Sequence, residues 1–317
     1  MGLTMDALDK KRLILIIAGP TASGKSALAT DIAEQAGGVI INADSMQLYR
    51  DLPILTAQPA AADRRAVPHR LYGVLDGAER CSVAQWLELV RAEVAAARQQ
   101  GLLPILTGGT GFYLAAAEKG ISPIPDVSQA VHQQAEADLA RHGGVVIRSW
   151  LAEQDPQTAD RLPDGDSQRL VRALGVLRQT GQPLSHWQAQ PAAGMLEGDF
   201  VRLVQMPPRA EIYQTINQRF EAMLAAGALA EVEQLVARQL DPSLPVMKAL
   251  GVSQLAASLA GKLPLEEAVM LAQRDTRHYA KRQMTWIRNN FQTNILHDQK
   301  YNNKNFTKIF SKIVKSA

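Results

Sequence analysis

Continuous apolar runs alternate with amphipathic stretches along the first 120 residues. RLILIIAG (12–19) is almost wholly apolar, the pattern of a strand buried on both faces of a parallel sheet. Glycines follow, then KSALATDIAEQAGG, an amphipathic helix stopped by Gly37 and Gly38. Val39, Ile40 and Ile41 form a second buried run, which ends in Asn42, Ala43 and Asp44. HRLYGVL (69–75) reads as a further short strand. SVAQWLELVRAEVAAARQQG (82–101) is strongly helical, with a capping box of Ser82 and Gln85 and with Gly101 at its C-terminal cap. LPILTGGT (103–110) is another buried strand ending in glycines, and the helix-like GFYLAAAEKG follows it. Strand–helix alternation with glycine turns at strand ends specifies an α/β fold on a parallel sheet.

The pattern changes after residue 120. ISPIPD (121–126) reads as a linker, and nearly every period from 127 to about 195 is helical, broken at QTGQP and PAAGMLEGD. FVRLVQM (200–206) returns to strand character, and 208–290 is helical again. The expected organisation is an α/β core over 12–120 and 200–292, a helical insertion over 121–199, and a basic, loosely ordered tail over 293–317.

Composition narrows this picture. At 317 residues and 46% hydrophobic, the chain can bury a large core, and extended disorder is not expected. Cys81 is the only cysteine, which excludes an internal disulfide and a Cys-rich zinc site and fits a reducing cytoplasm. The six histidines show no paired metal-ligand spacing. RLILIIAG is too short to cross a bilayer and leads into a glycine loop, so neither a membrane span nor a signal peptide is expected. Net charge is only +3, yet from Arg274 to Ala317 ten Lys and Arg stand against Asp275 and Asp298. Such an end meets a polyanion or simply faces water.

The chemistry begins at GPTASGKS. Gly19, Pro20, Thr21, Ala22, Ser23, Gly24, Lys25 and Ser26 match the phosphate-loop pattern, with a strand before it and a helix after. Its backbone N–H groups cradle phosphate oxygens, the helix N-terminus adds partial positive charge, and Lys25 adds a full one. The Ser26 hydroxyl can ligate Mg²⁺. The loop specifies a polyphosphate but not its hydrolysis. A nucleoside triphosphatase normally carries a second acid at the end of another buried strand. Here the candidate strand ends in threonine and glycines, and no guanine-reading N-K-x-D occurs.

The acid at a strand end is Asp44, 19 residues after Lys25. Strand C-termini line one edge of such a sheet, so Asp44 and Thr110 should open into the cleft that the phosphate loop faces. Position alone leaves two readings of Asp44: a helix cap bonded to backbone N–H, or a site group that orients metal, ribose or a nucleophile.

GPTASGKS, NADSMQLYRDLPILTAQP, PHRLYGVLD, LPILTGGTGFYLAA, DSQRLVRALGVLRQTGQPL and AKRQMTWIRN, in that order, resemble the bacterial tRNA dimethylallyltransferase family over residues 12–292. The resemblance implies a P-loop kinase-like core with a helical insertion that grips a tRNA anticodon stem-loop, and C-terminal helices. It implies transfer of a dimethylallyl group from dimethylallyl diphosphate to N6 of the adenine 3′ of the anticodon, with Mg²⁺, in tRNAs reading codons that begin with U. The protein is then expected to act as a cytoplasmic monomer.

By the same resemblance Asp44 faces the N6 amine, Thr110 contacts the base, and Lys25 with the rest of the loop holds the diphosphate, which Arg219 also reaches. The tRNA contacts it implies are Asp44, Ser45, Met46 and Gln47; Gln168, Arg169, Leu170, Val171 and Arg172; and Lys248, Ala249, Leu250, Gly251, Val252 and Ser253. Arg274, Arg277, Lys281 and Arg288 recur at helical spacing and either track phosphates or form an exposed face. Two departures stand out: LTAQP (55–59) replaces the family's G-T-A-K-P, and Val252 and Ser253 stand where an aromatic and an arginine are usual. The rival readings are an ATP-dependent P-loop kinase of a small molecule and a non-catalytic RNA-binding module.

Overall fold

A computed structural model describes residues 10–317. The chain opens with β1 (Leu13–Ala18), α1 (Lys25–Ala36), β2 (Gly38–Asn42), α2 (Ala61–Ala66), β3 (His69–Arg70), α3 (Val83–Gln99), β4 (Leu103–Gly108) and α4 (Gly111–Lys119). Four helices follow: α5 (Gln129–Gln154), α6 (Pro156–Arg161), α7 (Ser167–Thr180) and α8 (Leu184–Gln188). The last stretch comprises β5 (Asp199–Gln205), α9 (Arg209–Ala225), α10 (Ala228–Ala237), α11 (Val252–Leu259), α12 (Leu265–Asn290), β6 (Ile295–His297) and α13 (Phe306–Ser316). Two compact units result, the smaller being Lys119–Met195 and the larger comprising the chain on either side of it.

All strands of the larger unit run parallel in the order β3-β2-β4-β1-β5-β6. β1 lies between β4 and β5, with Ile17 beside both Thr107 and Leu203, and its six residues are buried. This explains its unbroken apolar run, since a central strand covered on both faces has no polar side. Leu28 and Ile32 of α1 pack on Leu15, Ile17, Ile40 and Ile105. A second core joins Tyr49, Leu52 and Leu55 to Phe220, Val232, Val246, Val252 and Leu255.

The C-terminal end differs from the loose tail expected of it. β6 extends the sheet beside β5, pairing Leu203 with Ile295. In α13, Ile309, Phe310 and Ile313 are buried in the β1–α1 core, while Lys308, Lys312 and Lys315 stay exposed. The basic residues are one face of an amphipathic helix. Tyr301 fastens the connection by donating to Asp31 of α1.

In the smaller unit, α5 and α7 pack through Ala135, Ile147, Leu151, Leu170, Val171 and Leu174. α5 kinks at Gly143. Asp155 caps α6 through Thr158 N–H (3.1 Å) and accepts Ser185 N–H (3.1 Å) at the start of α8.

Candidate active site

The strand–loop–helix unit forms as expected: β1 ends at Ala18, the loop turns, and α1 begins at Lys25. Gly24 at the helix start has φ 88°, a left-handed conformation that residues with a Cβ rarely adopt. Lys25 Nζ donates to Pro20 O at 3.3 Å. Ser26 is exposed on the first turn of α1, and Ser23 is buried. Arg219 of α9 reaches the loop and donates to Thr21 Oγ1.

The Asp44 loop is held by a residue that sequence reasoning passed over. Asn42, fully buried at the end of β2, donates through Nδ2 to Asp44 O (2.9 Å) and Leu71 O (3.0 Å). Its Oδ1 accepts Asp44 N–H at 2.8 Å, so the Asp44 backbone is fixed from both sides. Trp86 in turn donates to Asn42 O at 3.1 Å. Asp44 Oδ1 accepts Met46 N–H at 3.1 Å, a contact at the start of the 3₁₀ turn Met46–Leu48. One carboxylate oxygen is thus engaged by local backbone, although Ser45 and not Asp44 is the N-cap residue of that turn. The other, Oδ2, lies near Gly109. Thr110 joins the same loop, its Oγ1 accepting Ser45 N–H at 3.1 Å. Gln47 is committed elsewhere: its Nε2 donates to Thr56 O (2.8 Å) and Ala57 O (2.9 Å).

α12 ties these loops together. Gln283 Oε1 accepts Thr21 N–H and its Nε2 donates to Gly109 O, both at 2.8 Å. Tyr279, one turn earlier, has its phenol near Thr110 and Gln283. Neither residue was singled out from sequence. The available signal was a set of polar residues, Gln273, Thr276 and Gln283, on the buried face of α12 beside Ala272, Ala280 and Met284.

The electrostatics centre on Asp44. Burial lowers Lys25 to about 8; the Asp44 charge works against that shift, and Arg219 adds to it. Burial also lowers Arg219, again opposed by Asp44. Burial first, and then the Asp44 charge, push Tyr72 and Tyr279 up, so both phenols stay neutral. One carboxylate thus faces two partly desolvated cations across the sheet edge.

The residues implied as tRNA contacts divide by burial. Gln168, Arg169 and Arg172 are exposed on α7, and Arg169 pairs with Asp166 at 3.3 Å. Leu170 and Val171 instead pack in the helical core, because they form the apolar stripe of α7. Lys248 and Ser253 are exposed and, with Leu250 and Gly251, line a groove of about 270 Å³ that also takes in Asp275, His278 and Arg282. Ala249 and Val252 are buried beneath it. The basic spacing on α12 does not make one exposed stripe. Arg277 is half-buried and donates to Asn217 Oδ1 at 2.7 Å, because that side of α12 packs on α9. Lys281 lines a groove of about 530 Å³ with His278, Arg282, Trp286 and Asn289.

Where the family pattern is broken, Leu55 fills the second core and Gln58 makes two contacts. Gln58 Nε2 donates to Tyr49 O at 2.7 Å, and Arg64 donates to Gln58 Oε1 at 3.2 Å. Gln58, Arg64 and Arg219 share an otherwise largely apolar groove of about 640 Å³ with Pro53, Ile54, Ala57 and Met223. Among the described residues there is no cluster of three or more His, Cys, Asp or Glu that could hold a metal ion, and no helix long and apolar enough to cross a membrane.

A phosphate loop after the central strand of a parallel sheet, with no second acid on β4, defines a P-loop protein that handles a polyphosphate without the usual hydrolytic arrangement. The chain belongs to the IPP transferase family, whose model matches residues 47–290; the isopentenyl transferase model matches residues 12–77. It is 47% identical to the tRNA dimethylallyltransferase of Paramagnetospirillum magneticum over 94% of this chain and 95% of that one. With the tRNA dimethylallyltransferase of Rhodospirillum rubrum it shares 53% identity over 87% of this chain and 85% of that one. The full-length tRNA isopentenylpyrophosphate transferase of Bacillus halodurans superposes with a TM-score of 0.68 at 29% identity, covering 96% and 98% of the two chains. A eukaryotic dimethylallyltransferase acting on tRNA gives a TM-score of 0.73 at 27% identity, over 87% of this chain and 70% of that one.

Proposed function

We propose that this protein transfers a dimethylallyl group from dimethylallyl diphosphate to N6 of the adenine immediately 3′ of the anticodon, in tRNAs reading codons that begin with U. The observation that carries the reading is the placement of Asp44 after β2 and of Lys25 and Arg219 at the loop after β1, with the glycine end of β4 between those two strands. Backbone N–H groups of the loop from Ala22 to Ser26, with Lys25 and Arg219, hold the diphosphate and stabilise the charge that grows on it as the allylic C–O bond breaks. The N6 lone pair is delocalised into the adenine ring, so the amine is a poor nucleophile. The Asp44 carboxylate orients it and takes up its proton as the new C–N bond forms. Thr110, tied to the same loop, bounds the base. The adenine leaves its stack to enter, at a cost of a few kcal/mol. Contacts from exposed Gln168, Arg169, Arg172, Lys248, Ser253 and Lys281 to the anticodon stem-loop offset that cost.

The residues fit Mg²⁺ in a particular way. Ser26 offers one hydroxyl on the first turn of α1, and among the described residues no dedicated cage of His, Cys, Asp or Glu could surround an ion there. That donor set suits an ion held chiefly by substrate phosphates and water, as Mg²⁺ is. When bound, it neutralises charge on the leaving diphosphate.

The test is mass analysis of tRNA nucleosides after incubation with labelled dimethylallyl diphosphate and Mg²⁺, expected to give N6-dimethylallyladenosine. Isothermal titration should show dimethylallyl diphosphate binding that is lost in Lys25→Ala. ATP-dependent phosphorylation of a small molecule, with no label entering tRNA, would sink the reading in favour of a kinase.

A further inference from the structure

We propose that Gln283 is a positioning residue that locks the diphosphate loop to the acceptor loop, by accepting from Thr21 N–H and donating to Gly109 O. It rests on the transfer reaction above and adds to it the device that sets the distance between leaving group and nucleophile. Its two hydrogen bonds, each 2.8 Å, join segments 88 residues apart in the chain and on different strands.

The chemistry at 283 is narrowly specified. A backbone N–H can only donate and a backbone carbonyl can only accept. A side chain bridging them needs one acceptor and one donor at fixed separation, which an amide supplies. A carboxylate would serve Thr21 and oppose the Gly109 carbonyl; a thioether would serve neither. Space is equally tight: a Cβ at position 109 would lie 2.2 Å from Gln283 Nε2. Gln283 is 5% exposed, so water does not readily replace lost bonds. The residues it holds sit next to the site groups. Thr21 also accepts from Arg219, and Thr110 follows Gly109 directly and accepts from Ser45 in the Asp44 loop.

The experiment compares the full chain with Gln283→Glu and Gln283→Met. Single-turnover transfer is expected to fall about 10²-fold in both, the loss that misplacement by about 1 Å can cause. Affinities for inorganic pyrophosphate and for an anticodon stem-loop should stay within about threefold, because each loop keeps its own binding groups. Hydrogen exchange supplies a readout independent of turnover: Thr21 N–H should lose protection in Gln283→Met while the backbone of α12 keeps it. Unchanged single-turnover rates, or unchanged Thr21 exchange, would overturn the proposal. Should the unaltered chain transfer no dimethylallyl group, the proposed function fails, and exchange at Thr21 alone decides whether Gln283 locks the loop. Should Gln283→Met not fold, Gln283→Glu, which keeps the volume and the Thr21 bond but loses the one to Gly109, carries the comparison by its single-turnover rate alone, and an unchanged rate overturns the proposal.

Discussion

Replacing Asp44 by asparagine separates its two functions. Asparagine keeps an Oδ1 that accepts Met46 N–H, so the bond to the Met46–Leu48 turn survives, while the charge and the proton-accepting capacity are lost. Alanine loses both. A side-chain-to-backbone hydrogen bond such as that to Met46 N–H contributes about 1 kcal/mol to stability, so Asp44→Ala should unfold at lower denaturant than Asp44→Asn. A positioned general base contributes about 10²–10⁴-fold in rate. That is about 3–5 kcal/mol of barrier, well above that bond. Both variants should therefore lose about 10²–10⁴-fold in single-turnover transfer at saturating substrates. Their tRNA affinities should change only a few-fold, since one contact among many is removed.

The charge has a second readout. Asp44 works against the burial that lowers Lys25 to about 8. Without it the ammonium should lose its proton at still lower pH, and pyrophosphate binding by Asp44→Asn should start to weaken at a lower pH than in the unaltered chain. Asp44→Asn that transfers within about threefold of the unaltered chain would refute the base, because a positioned general base typically contributes about 10²–10⁴-fold.

Lys25 itself gives a pH prediction. Its folded value, about 8, is below its ordinary 10.5, so its ammonium form is disfavoured in the empty site. The strain of burying that charge is fully present below pH 8 and is relieved as pH rises towards 10.5. The anion prefers the ammonium, so pyrophosphate affinity should be greatest below pH 8 and fall by up to about tenfold per pH unit above it, with proton uptake. Titration in buffers of different ionisation enthalpy checks this, and a flat profile from pH 7 to 9.5 would count against it. Gln58→Lys should not lower the donor KM in the unaltered background, because the new ammonium meets Arg64; in Arg64→Ala, where that repulsion is gone, it should lower the donor KM relative to Arg64→Ala alone. Equal effects in both backgrounds would dissociate the two positions. Phe310→Ala should cost about 3–5 kcal/mol in urea unfolding, as removal of a large core side chain does. A change below about 1 kcal/mol would mean that α13 adds little to the core.

What the sequence made legible depended on whether one signal carried both backbone and chemistry. At GPTASGKS the apolar strand, the glycines and the lysine all specify one loop, and it forms as read. At Asp44 the residue was legible but its support was not. Asn42 is buried by the strand it closes, and nothing in a local window marks an asparagine whose amide binds two residues on and 29 residues on. On α12 the basic period was real, but periodicity does not say which side packs on α9, so the half-burial of Arg277 and its bond to Asn217 were not legible. At the C-terminus the density of lysines hid the apolar residues at 309, 310 and 313, which make the helix part of the core.

Strand order explains why this P-loop suits transfer to a base better than hydrolysis. β4 lies between β1 and β2, so the phosphate loop and Asp44 emerge two strands apart, about 10 Å at the usual spacing. A second hydrolytic acid would stand at the end of β4, beside the loop, where it could ready a water at the terminal phosphate. That position is instead bare backbone. A Cβ at Gly108 would lie 2.2 Å from the Ala43 carbonyl, and one at Gly109 would strike Gln283. The carboxylate is thereby kept a full strand away from the phosphates, with room between for the atoms that react. Displacement at an allylic carbon needs the leaving group on one side and the nucleophile on the other, with reacting atoms about 3–3.5 Å apart. In the proposed reaction, an acid set back by one strand would reach the far side of that carbon, where the amine arrives, and not the phosphorus, where water would attack. The chemistry is thus written partly in the order of three strands and in the two glycines that keep the middle one from filling the cleft.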